Sequence, residues 1–152
     1  MPSGKTHAQF ELLALPVIWI GFYYWNTLSP LEAGIFSLAY LFSSRFLSPD
    51  LDLKANSARK RWGPLGFIWG PYARAFKHRG ASHSLVVGPL TRLVYLAMIF
   101  GLVAVGLSYI GLALPATAPE WVTPRTIGVV VAGLYTPNVL HVLLDRVVSA
   151  VR

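Results

Sequence analysis

The sequence predicts an all-α protein: a four-transmembrane-helix bundle with an aromatic and basic loop lying at the cytoplasmic interface. Three observations predict it. Hydrophobic residues make up 55% of the 152-residue chain and charged residues 12%, with a mean hydropathy of +0.55, well outside the composition of soluble domains. Long runs carry no charge, and that from Leu93 to Pro119 exceeds the roughly 20 apolar residues a helix needs to cross a bilayer. The runs are divided by proline-containing breaks, with no internal repeat, low-complexity tract or linker, so residues 1–152 read as one integral-membrane domain.

The first helix is expected over residues 7–28, around the uncharged run Leu12 to Pro30. The opening MPSGKTHAQF lacks the basic region, unbroken apolar core and small-residue cleavage site of a secretory signal, so this helix is expected to be retained. NTLSPLE, residues 26–32, reads as a tight hairpin into a second helix over 31–48. Its apolar core, Ala33 to Ser44, is short, and Arg45 extends it by snorkelling toward the headgroups. The third helix is expected over 83–113, ended by LPATAPEWVTPR (114–125), whose three prolines cannot continue a helix. The fourth, over 125–149, is apolar from Thr126 to Leu144 apart from Thr136, Asn138 and His141. Residues 49–82 form the long hydrophilic loop.

Basic residues set the orientation. Lys54, Arg59, Lys60, Arg61, Arg74, Lys77 and Arg79 lie in the long loop, whereas the opposite loops carry Arg125 with Glu32 and Glu120. The positive-inside rule puts the long loop in the cytoplasm, and four crossings put both termini there too, in a bacterial inner membrane. The pI of about 10.1 is then a matter of topology and of anionic lipid partners. No nucleic acid is expected.

Against that map, every histidine and aspartate falls at the cytoplasmic end of a helix: His7, Asp50 and Asp52, His78 and His83, His141 and Asp145. Antiparallel helices bring those ends together. Imidazoles and carboxylates suit a divalent metal, zinc foremost, with manganese, iron or magnesium as alternatives; one or two ions fit the donor number. Cysteine is absent, which excludes disulfides and thiolate ligands. His141 and Asp145 in HVLLD are four apart and share one helix face, as do His7 and Glu11. In SPDLDL, Pro49 ends the second helix, and an extended Asp50-Leu51-Asp52 would turn both carboxylates to one side. Gly80 allows a turn between His78 and His83, with Ser82 as cap of the third helix. Arg79 beside them is suited to a phosphate, and a carboxylate outside the ligand shell, Asp52, to the general base.

RWGPLGFIWGPYARAFK (61–77) interleaves Trp62, Phe67, Trp69, Tyr72 and Phe76 with basic residues. Between spans, this reads as an interfacial platform with its rings at headgroup depth. There is no phosphate-cradling glycine loop and no nucleophile elbow. The outer halves of the helices hold no ionisable residue except at their ends, so no polar path for a transporter crosses the membrane.

MPSGKTH, SPDLDL, RWGPLGFIWGPY and HRGASHS followed by GPLTRLVYL resemble a small family of bacterial, notably cyanobacterial, membrane proteins known as predicted metal-binding proteins, over residues 1 to about 95. More remotely the chain resembles the membrane-bound metal-dependent hydrolases and, through them, the helical zinc phospholipase C and P1 nuclease fold. That resemblance implies a metal-dependent hydrolase of phosphoester bonds in a membrane or membrane-adjacent substrate. The alternative is a non-catalytic metalloprotein in which the metal staples the helix ends and the basic loop binds lipid or a partner.

Overall fold

A computed structural model describes residues 4–52, 57–76, 84–112 and 117–151. Every regular element among them is helical. They are α1 (Gly4–Trp25), α2 (Pro30–Phe46), a 3-10 turn (Pro49–Asp52), α3 (Ser57–Lys60), a second 3-10 segment (Gly63–Ile68), α4 (Trp69–Ala75), α5 (Val87–Tyr109) and α6 (Pro124–Ala150).

The α1–α2 hairpin is made by local chemistry. Asn26 takes a positive φ of 46°, a conformation asparagine tolerates better than most residues, and the Thr27 N–H donates back to the Phe22 carbonyl at 3.2 Å. Ser29 and Glu32 then form a reciprocal capping box with Pro30 in the first turn. The Arg125 guanidinium, from the start of α6, binds the Glu32 carboxylate and donates to the Thr27 carbonyl. Arg125 and the Ser29 cap hold the Glu32 carboxyl at about 2. This closes the end of the bundle opposite the histidines.

Helices α2 and α6 lie against each other with little between them. A Cβ at Gly133 would sit 2.6 Å from the Phe36 carbonyl oxygen and 2.8 Å from the Ala39 Cβ, so this approach requires glycine. One turn on, the Ser43 hydroxyl donates to the Leu134 carbonyl, and the Asn138 amide donates to Ser43 Oγ at 3.1 Å and to Leu134 O at 2.9 Å. The α1 helix completes a three-helix core through Phe36, Tyr40 and Val129, with Leu15, Ile18 and Phe22 against them. The buried Tyr40 hydroxyl donates to the Glu11 carbonyl at 2.6 Å.

Helix α5 is attached differently. It rests on the short segments through a second core of Leu47, Leu51, Ala58, Trp69, Tyr72 and Leu96. Tyr95 donates to the Ile68 carbonyl, and Tyr135 of α6 to the Leu85 carbonyl. Beyond Leu96 no residue of α5 is buried, and Met98, Phe100, Leu102, Val103 and Val105 stand exposed.

Four expectations are corrected. Among the described residues two helices, α5 with a mean hydropathy of 2.1 and α6 with 1.7, are long and apolar enough to cross a membrane, where four were expected. Helix α2 has 17 residues, and α1 carries Lys5, Gln9 and Glu11 in its first half. The third helix begins at Val87, not at residue 83. That start places Pro89 in the first turn, where its missing N–H is no loss. It stops at Tyr109 because Gly111, φ +81°, closes a Schellman motif in which the Leu112 N–H reaches Leu107 O at 2.9 Å and the Gly111 N–H reaches Ser108 O at 3.1 Å. Residues 49–52 form a 3-10 turn with Leu51 fully buried, where an extended Asp50-Leu51-Asp52 was expected. Finally, Trp69 and Tyr72 are buried core residues, whereas Leu65 and Phe67 are the large hydrophobic residues that the platform leaves exposed. The aromatic spacing there makes a core for α5.

Candidate metal centre

The first turns of α1 and the last turns of α6 meet at one end of the bundle, and the convergence expected from sequence is partly realised there. His7 and His141 are buried and Asp145 nearly so. One donor atom from each lies within 4.8 Å of the other two. The two imidazoles stack, with centroids 3.7 Å apart and planes 10° from parallel. His7 Nε2 stands 3.2 Å from Asp145 Oδ1. That oxygen makes no hydrogen bond among the described residues, and neither does His7 Nδ1.

Buried polar atoms left without a hydrogen bond, as Asp145 Oδ1 and His7 Nδ1 are here, are costly, and the donor set they belong to fits a cation. Burial and the neighbouring His141 ring push His7 below the usual histidine range, against the pull of Asp145, Asp50 and Glu11. His7 is therefore neutral near pH 7, the form that ligates.

Glu11 takes a role its spacing did not reveal. It shares a helix face with His7, yet its Oε1 lies 3.2 Å from His141 Nδ1, across the helix interface. Its Oε2 accepts from the Ser44 hydroxyl of α2. A carboxylate on one ring nitrogen fixes the ring and leaves Nε2 for a metal, the usual outer-sphere arrangement of metal-binding histidines. Sequence reasoning had no signal for Ser44.

Asp50, Arg61, Glu11 and Ser44 border a cavity of about 10 Å³ shared with His7 and His141. That is about the least space that admits one water molecule. Asp52 is buried but does not border this cavity; its charge acts on Tyr72 and Arg92. The 3-10 turn explains the divergence, because its residues fan around an axis instead of alternating between two sides. His78, Arg79 and His83 lie outside the described residues. Arg61, whose guanidinium also donates to the Arg45 carbonyl at 3.1 Å, is the basic group found beside the donors.

Among the described residues, which are helical wherever they are regular, two buried imidazoles and a carboxylate are gathered as a set that could hold a metal ion. The chain belongs to the family described as uncharacterized metal-binding protein (DUF2227), which matches residues 2–152. A protein of Aquifex aeolicus (strain VF5), itself called an uncharacterized protein, is 43% identical over 61 residues. The match spans 40% of this chain and 43% of that relative's length. No solved structure matches.

Proposed function

We propose that the protein is a membrane-embedded, metal-dependent hydrolase of phosphoester bonds, acting on a membrane or membrane-adjacent substrate at the cytoplasmic face. The observation that carries this reading is the set His7, His141 and Asp145, with Glu11 behind His141. Two imidazoles and one carboxylate are the three-ligand pattern that leaves a coordination position open to water. A divalent ion, zinc foremost, supplies Lewis acidity and brings the pKa of water toward neutrality. Glu11 orients His141. Asp50, at the cavity wall, is placed to take a proton, the role sequence reasoning gave to Asp52. Arg61, with Arg79 from the loop, offsets phosphate charge.

The test is turnover of a chromogenic phosphodiester by purified protein. Activity should vanish on chelation and return with one divalent metal, and Arg79→Ala should cut turnover while leaving metal content unchanged. Metal bound stoichiometrically with no turnover would favour the stapling reading, in which the ion only joins α1 to α6. The small cavity is the observation on that side, since it has room for an ion and little else.

Membrane insertion rests on α5, in which no residue beyond Leu96 is buried. Single cysteines at Lys60 and Glu120, both exposed, are expected to label from opposite faces of the membrane, Lys60 from the cytoplasmic one. Labelling of both from the same side would refute a crossing by α5.

A further inference from the structure

Arg92 occupies the first turns of α5 and is among the largest fully buried side chains of the protein, 1% exposed. None of its three guanidinium nitrogens makes a hydrogen bond among the described residues. Tyr72 is near enough to act on it, but the Tyr72 hydroxyl is already shared with Thr91 Oγ1 at 3.0 Å. Asp52 and Asp50 act on it electrostatically without contributing a hydrogen bond to it. A buried guanidinium with five donors and no acceptor is a costly arrangement, far outside the few unsatisfied groups that folds tolerate. Arginine is also the side chain best shaped to grip a planar or tetrahedral oxyanion through paired N–H bonds.

We propose that Arg92 is an anion-holding residue: its buried, unbonded guanidinium receives a phosphate-class oxyanion at the start of α5. Asp50 links this place to the His7–His141 cavity, since it borders that cavity and also acts on Arg92. The proposal rests on the metal reading in one respect. A divalent ion among the donors offsets the carboxylates of the turn and leaves the guanidinium as the charge an anion meets. The oxyanion can come from free phosphate or from a lipid headgroup, because α5 continues from Arg92 into its exposed apolar length.

The experiment measures metal content, thermal melting and phosphate binding for wild type, Arg92→Met, Arg92→Lys and Arg61→Met. Inorganic phosphate and short-chain phosphatidic acid are the probes, each with and without added zinc. Arg92→Met should retain its metal and, without phosphate, melt no lower than wild type, because it removes a buried charge that has no hydrogen-bond partner among the described residues. Its phosphate affinity should fall by roughly tenfold to a hundredfold, the ratio expected for lost hydrogen bonds to a charged group. Arg92→Lys should lose less. Tighter binding of phosphatidic acid than of phosphate assigns the source to lipid, and equal binding assigns it to the free ion. A phosphate-free Arg92→Met that melts well below wild type or loses its metal would make Arg92 structural and overturn the proposal. Unchanged phosphate binding in Arg92→Met, or loss confined to Arg61→Met, would overturn it as well. If wild type holds no metal, the metal reading fails by itself. Arg92-dependent phosphate binding then still supports the anion site, and its absence sinks it.

Discussion

His141→Ala is expected to empty the protein of its metal and to lower its melting temperature by roughly 10 °C. The ring is 2% exposed, stacks on His7 and is held by Glu11, so nothing nearby can replace its nitrogen. An ion bound only by the folded state stabilises it by about 4 kcal/mol when its free concentration is a thousandfold above the dissociation constant. At 2 to 4 °C per kcal/mol for a chain of this size, losing that term gives the stated shift. Elemental analysis and melting curves read the two effects together. Wild type treated with chelator should then melt close to the variant, and Glu120→Ala, at an exposed site, should match untreated wild type. A variant that keeps a full complement of metal would remove His141 from the ligand set.

Gly133→Val should be the most damaging substitution away from the metal donors. Even a Cβ there would fall 2.6 Å from the Phe36 carbonyl oxygen, a backbone atom, so α2 and α6 must separate. Overpacking costs about 1–3 kcal/mol, and here it also pulls Ser43 from the Leu134 carbonyl and Asn138. Because the same two helices carry Ser44 and His141, metal affinity should weaken alongside stability. Gly128→Ala on the same helix meets nothing within 4 Å and should be neutral or mildly stabilising, as alanine outranks glycine in a helix by up to about 1 kcal/mol. Similar melting temperatures for Gly133→Val and Gly128→Ala would show that the close approach of α2 and α6 carries no weight.

Much of the candidate site was legible because ionisable groups are expensive among apolar neighbours. His141 and Asp145 stand out inside a hydrophobic run, and four-residue spacing puts them on one face. His7 emerged only from its position at a helix end, jointly with the others. Arg92 was missed although the same rule applies to it: the apolar run was counted from Leu93, which left the arginine at its margin. It is buried near Tyr72, a residue of an aromatic stretch whose spacing reads equally well as a surface platform.

The sequence by itself determined the helical class, the position of the hairpin, and the placing of His7, His141 and Asp145 at helix ends. Each of these depends on composition, spacing or backbone chemistry within a few residues. The tertiary structure alone decided which partner each group meets. Glu11 serves His141 across an interface and not His7 on its own helix. Asp50 and Asp52 part company around a 3-10 turn. Trp69 and Tyr72 became the bed for α5. Periodicity states which face of a helix is apolar or charged, but the neighbour that face finds depends on how closely backbones approach, and here a single hydrogen in place of a side chain, at Gly133, sets that distance.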